Sequence, residues 1–161
     1  MMRLGVHHNI SRARRCALIY SDEEPELATE GRSPSVLIVE DDRDGRLMLV
    51  EWLQQAGFRV AQAHNGLQAL ERAVELTPDV VVTDLNIPGI DGFELTRRLK
   101  QDPRTRDVPV LAVTGYAAFA ADPNRAHRAG CDAVLEKPCS AAELETAIRR
   151  LLDNNHKSGL A

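Results

Sequence analysis

The chain has 161 residues, a formal charge of −4, 43% hydrophobic residues and only three cysteines. That length suits one domain with a buried core, and the weak acidity argues against a nucleic-acid-binding surface. The longest hydrophobic run, Tyr116 to Ala121, falls far short of the ~20 residues that span a membrane.

Residues 1–20 carry Arg3, Arg12, Arg14 and Arg15 and no acid, whereas residues 21–31 carry Asp22, Glu23, Glu24, Glu26 and Glu30 and no base. Apolar periodicity is poor here, and Cys16 to Tyr20 is too short for a signal-peptide core. Gly31-Arg32-Ser33-Pro34 reads as a linker. Residues 1–34 are therefore expected to be a disordered extension, preferred over an organellar transit peptide. Its charge blocks could pair loosely or touch a partner. His7-His8 lacks a second ligand pair and is not read as a metal site. Cys16, Cys131 and Cys139 lack zinc or redox spacing and read as reduced structural thiols of a cytoplasmic protein.

From Ser35 onward, strands and helices alternate. Val36 to Val39 is a short apolar run that fits a buried parallel strand. Asp44 to Ala56 reads as a helix stopped by Gly57. Phe58 to Ala61 is a weaker strand, and Gly66 to Leu76 a helix ended by Thr77-Pro78. Val80 to Val82 is a third strand, followed by a helix over Gly92 to Lys100 with Phe93, Leu95 and Leu99 as core candidates. Val108 to Val113 is a fourth strand. A short helix around Pro123 to Ala129 is closed by Gly130. Ala133 to Leu135 is a fifth strand. Ser140 to Leu152 is the last helix, with a Ser140/Glu143 capping box. Five such units predict an α/β fold with a doubly wound parallel sheet.

In such sheets ligands bind beyond the carboxyl ends of the strands. The first strand ends in Glu40-Asp41-Asp42, the third in Thr83-Asp84, the fourth in Thr114-Gly115, and the fifth in Glu136-Lys137-Pro138. Carboxylates after buried strands are expensive unless neutralised. A lysine and a hard cation such as Mg²⁺, bound by two or three carboxylates, a carbonyl and waters, would neutralise them. Helix capping accounts for Asp42 or Asp44, but not for acids, a hydroxyl and a lysine converging from separate strands.

Val36-Leu37-Ile38-Val39-Glu40-Asp41-Asp42, Val82-Thr83-Asp84-Leu85-Asn86-Ile87-Pro88-Gly89-Ile90-Asp91-Gly92, Val113-Thr114-Gly115 and Glu136-Lys137-Pro138 resemble, in order, the motifs of the response regulator receiver domain of bacterial two-component systems. The resemblance covers about residues 35–153, leaving 154–161 as a short tail. It implies a flavodoxin-like (βα)5 sheet of order 2-1-3-4-5. Asp84 would be the phosphoacceptor, with Thr114 and Lys137 contacting the phosphoryl group. Mg²⁺ would be held by Glu40, Asp41, Asp84 and the Asn86 carbonyl, and Lys137–Pro138 would be cis. Three acids compete for two metal-site roles; Glu40 and Asp41 are favoured, with Asp42 as helix entry.

One departure stands out. The family's usual aromatic, three residues before the lysine, is Val134 here. Tyr116 is read as a surface residue tuning access, with substitution for that aromatic as the alternative. On the first helix, Leu49 at the core brings Met48, Trp52, Leu53 and Ala56 to or beside the buried face. Leu47 and Val50 fall opposite, as single exposed apolar residues or as a docking strip for a kinase bundle. His64 and His127 are expected at the surface.

Chain order disfavours a Mg²⁺-dependent phosphatase of the haloacid-dehalogenase type, whose nucleophile follows its first strand in a D-x-D motif. A flavin or dinucleotide binder would need a Gly-rich loop after the first strand. A receiver fragment of a hybrid sensor kinase is the remaining alternative. The expected function is a stand-alone receiver, a switch with slow self-phosphorylating and self-dephosphorylating chemistry and not a metabolic enzyme. It would take phosphate from a histidine kinase or phosphotransfer protein and signal through protein contacts, without direct DNA or membrane binding.

Overall fold

The computed structural model describes residues 31–115, 122 and 124–158. Its strands are β1 (Ser35–Val39), β2 (Arg59–Ala63), β3 (Val80–Thr83), β4 (Val110–Gly115) and β5 (Ala133–Lys137). Its helices are α1 (Arg43–Gln55), α2 (Gly66–Leu76), α3 (Gly92–Gln101), α4 (Arg125–Ala129) and α5 (Ala141–Ser158). All strand pairs are parallel, in the predicted order β2-β1-β3-β4-β5.

Side chains alternate across a strand, so a strand covered on both faces must be apolar throughout. Val36 and Ile38 pack with Leu49 and Leu53 of α1 and Leu144 and Ile148 of α5. Leu37 and Val39 face the other way, toward Ala69 and Ala73 of α2 and the predicted core residues Phe93, Leu95 and Leu99 of α3. Among the described residues no helix is long and apolar enough to cross a membrane.

The helix starts follow from capping. Asp42, Asn65 and Asp91 accept hydrogen bonds from the backbone N–H groups of Gly45, Gln68 and Glu94 at 2.7, 2.8 and 2.8 Å. The predicted capping box forms: Ser140 N–H donates to Glu143 Oε2 at 2.7 Å, and Glu143 N–H to Ser140 Oγ at 3.2 Å. Gly57 and Gly130, read as stops, adopt φ of 90° and 105°, where a Cβ is disfavoured.

Some boundaries differ from expectation. β2 runs on to Ala63, because its pairing with β1 continues to Val39. β4 begins at Val110, since Pro109 has no N–H and Val108 N–H is spent on a turn to Thr105 O. α5 continues to Ser158, so residues 154–158 of the expected tail are helical. Leu152 is the last buried apolar residue, but no Gly or Pro follows until Gly159. The expected extension up to residue 30, with His7-His8 and Cys16, lies outside the described residues, as do Tyr116, Pro123 and residues 159–161.

Helix α1 corrects one expectation. Val50 is 7% exposed, whereas Leu47 and Met48 are both 46% exposed. Val50 and Met48 flank Leu49 symmetrically by helical angle, so periodicity cannot separate them. Contact of α1 with β2 supports burial on the Val50 flank. Met48 instead borders an open cleft beside Pro138 and Cys139. The exposed apolar pair is therefore Leu47 and Met48.

Candidate functional site

Val39 is in register with Thr83, and Asp84 N–H donates to Val39 O at 3.0 Å. The next residues on these neighbouring strands, Glu40 and Asp84, thus emerge side by side. Lys137 ends β5, two strands from Asp84, and reaches across the end of β4. Its Nζ lies 2.7 Å from Glu40 Oε2 and 2.8 Å from Asp84 Oδ2. The pairing of Thr114 with Glu136 and of Gly115 with Lys137 sets Thr114 on the same edge. The Lys137–Pro138 bond is cis.

Backbone groups hold the acids. Asn86 N–H donates to Asp84 Oδ1 at 2.9 Å, and Asp42 N–H to Glu40 Oε1 at 3.2 Å. The Arg46 guanidinium Nη1 donates to Glu40 O at 2.7 Å and to Asp41 O at 3.3 Å. Sequence reasoning missed Arg46; its available signal is a position in the first turn of α1, within reach of the strand end. A Cβ on Gly92 would lie 2.4 Å from Asp84 O and 2.7 Å from Leu85 Cα. Only glycine therefore lets α3 start this close to the acid-bearing strand end.

The electrostatics are those of a crowded, partly dry acid pair. Glu40 and Asp84 side chains are 5% and 13% exposed and share the one ammonium of Lys137. Burial pushes the Glu40 carboxyl above the usual carboxylate range, with Lys137 opposing and the Asp84 charge adding. For Lys137, burial pulls downward, but the hydrogen bonds to Asp84 and Glu40 outweigh it and hold the ammonium above its ordinary value.

The donor chemistry fits a hard divalent cation. A buried and a half-buried carboxylate against one lysine leave an excess negative charge, with Asp41 adjacent in sequence. Asp41 itself is exposed, and among the described residues no three His, Cys, Asp or Glu side chains are grouped to hold a metal by themselves. Such a donor set suits Mg²⁺, which keeps several waters and needs few protein ligands.

Thr114 is fully buried, and its hydroxyl has no partner among the described residues. Such orphaned groups are uncommon and cost about 1–3 kcal/mol. Asp42 caps α1, as its reading as helix entry expects. Val134 is half-buried against the core that includes Leu37 and Phe93. His64 and His127 are exposed, as expected. Cys131 is buried and Cys139 half-buried, both as free thiols. A cleft of about 460 Å³, lined by Glu40, Met48, Leu49, Trp52, Lys137 and Cys139 among others, opens beside the acids.

The sequence model of the response regulator receiver domain matches residues 36–149. The chain belongs to that family, a class of signalling switches. It is similar to the polar-differentiation response regulator DivK of Brucella anthropi, at 35% identity over 118 residues, covering 73% of this chain and 95% of that one. Among solved structures it resembles the receiver domain of a sensor histidine kinase from Pseudomonas aeruginosa, which has a magnesium ion coordinated in its active-site cleft. That match has a TM-score of 0.71 and 29% identity over 76% of this chain and 99% of that one. It also resembles the chemotaxis response regulator CheY4 of Vibrio cholerae, with a TM-score of 0.69 and 28% identity over 74% and 99%.

Proposed function

We propose that Asp84 accepts a phosphoryl group, with Mg²⁺ required, from a histidine kinase or phosphotransfer protein. The phosphorylated chain then signals through protein contacts. The receiver would occupy residues 35–153 within a cytoplasmic setting. The observation that carries this reading is the Lys137 ammonium bridging Glu40 and Asp84.

Lys137 and the Asn86 N–H fix the two oxygens of the Asp84 carboxylate. A carboxylate oxygen attacks phosphorus, forming a P–O bond as the P–N bond to the donor histidine breaks and its electron pair returns to nitrogen. Lys137 then exchanges Asp84 for a phosphoryl oxygen, and the Thr114 hydroxyl gains the acceptor it lacks. Mg²⁺, held by Glu40, Asp41, Asp84 and the Asn86 carbonyl, would offset charge on the transferring oxygens. Little else is required, because phosphoryl transfer is mainly positioning and charge stabilisation.

The direct test is backbone NMR with Mg²⁺ and beryllofluoride. Amides of Asp84, Thr114, Gly115 and Lys137 are expected to shift, with changes extending into the residues that follow Gly115. Shifts confined to the metal ligands would remove the switch, and no saturable shift would remove the site. In Thr114→Val the beryllofluoride-induced change after Gly115 should disappear. Unfolding free energy should stay the same or rise by about 1 kcal/mol, because an unsatisfied buried hydroxyl is removed.

Leu47, Met48 and the adjoining cleft offer the partner an apolar landing next to Asp84. Changing Leu47 and Met48 together to Ser is expected to slow transfer from a phosphorylated partner about tenfold while sparing labelling by a small phosphodonor. Equal slowing with both donors would place the defect in the site itself.

A further inference from the structure

The outer edge of β2 carries a feature that the phosphoryl site does not use. β2 pairs only with β1 in the described sheet, so its other edge has no strand partner among the described residues. A cleft of about 370 Å³ follows that edge, from Val60 to His64. Arg46, Gln62, His64, Gln68 and Arg72 supply its polar lining, and no carboxylate among the described residues lines it. In a chain of net charge −4 this local cationic character runs against the average.

The two arginines come from opposite faces of the sheet. Arg46 belongs to α1, which packs on the Val36/Ile38 face, whereas Arg72 belongs to α2, which packs on the Leu37/Val39 face. Arg72 is half-buried, with no hydrogen bond or ion pair to any described residue. Arg46 uses Nη1 to bind the carbonyls of Glu40 and Asp41, which leaves its other guanidinium nitrogens available.

The backbone adds directional groups. Arg59 N–H donates to Pro34 O, and Ala63 O accepts from Glu40 N–H, so these residues address β1. By alternation, Val60 and Gln62 turn their N–H and C=O outward. His64 N–H is already bonded to Gln68 Oε1 at 2.9 Å, which closes this ladder after Gln62. A strand added here would send successive side chains to the two faces, one toward Arg46 and the next toward Arg72.

We propose that the β2 edge is a docking strand for an extended acidic segment of a partner protein, joined by short β-augmentation. Charge complementarity selects the occupant. The exposed ladder favours a peptide over a small anion, and cations on both faces favour acids at consecutive positions. Arg46 links this edge to the backbone of Glu40 and Asp41, so the docked segment would touch the acid-bearing turn through one shared side chain.

The test uses the full-length chain, isotope-labelled, titrated with a Val-flanked octapeptide carrying consecutive Glu residues at its centre, its counterpart with Lys in place of Glu, and inorganic phosphate. The Glu peptide is expected to shift the Val60, Gln62 and His64 amides saturably, and more weakly at high salt. Arg72→Glu should weaken it about fivefold; Arg72→Gln, a milder change, should weaken it less, with the spectrum otherwise retained. Equal binding by the Lys peptide, absence of shifts along β2, or the same shifts with phosphate alone would each overturn the proposal.

Discussion

Replacing Asp84 with Ala is expected to abolish stable phosphoryl labelling, by at least about a thousandfold against wild type, with either a phosphorylated kinase or a small phosphodonor. The expectation rests on geometry. Asp84 holds one oxygen on Asn86 N–H and the other on Lys137, at a strand end that Gly92 keeps in place. The neighbouring acid cannot replace it. Glu40 follows a different strand, is 5% exposed, and has its carboxyl held above the usual range mainly by burial. The fold should survive, since the substitution removes one of two carboxylates competing for a single ammonium. Label that persists in Asp84→Ala, located by peptide mapping, would move the acceptor elsewhere. Loss of label together with loss of cooperative unfolding would require the milder Asp84→Asn to decide the question.

The second large effect is expected at Lys137. Lys137→Met leaves Glu40 and Asp84 facing each other without a counter-ion. Breaking a buried pair costs about 3–5 kcal/mol; with the Lys137 side chain 35% exposed, about 2 kcal/mol is the discounted expectation. The loss has a pH signature. The folded-state pKa of Glu40 lies above its ordinary value, so proton uptake there favours the folded state. That contribution is fully present below the unfolded pKa and is lost as pH rises through the folded one. Removing Lys137 raises the folded pKa further. The stability gap between Lys137→Met and wild type should therefore be small under acidic conditions and wide at neutral pH. Urea unfolding at both pH values measures it, and a pH-independent gap would contradict the charge argument. Added Mg²⁺ should narrow the neutral gap, because a cation compensates the same two carboxylates.

The strand runs were legible because a sheet covered on both faces demands unbroken apolar strands, as in Val36 to Val39. Helix starts were legible because Asp42 and Ser140 are capping types placed before amphipathic stretches. The site was legible for the same topological reason: acids, a hydroxyl and a lysine each follow a buried strand, and parallel strands deliver their ends to one edge. The weak points were those where a side chain's neighbours matter more than its spacing. Gln62 obscured the length of β2 because an edge strand need not be apolar. The reach of α5 beyond Leu152 was missed because its last turns bury no apolar residue and leave no periodic trace.

By itself, then, the sequence determined the alternation of strands and helices, their apolar faces and the chemical inventory at the strand ends, all properties of local order and spacing. Only the tertiary structure decided that one lysine serves both Glu40 and Asp84. It alone left the Thr114 hydroxyl without a described partner, buried Val50 and exposed Met48, and set Arg46 and Arg72 around the same edge of β2. Those outcomes depend on which elements become neighbours across the sheet, and side-chain periodicity along one element carries no record of the partner packed against it.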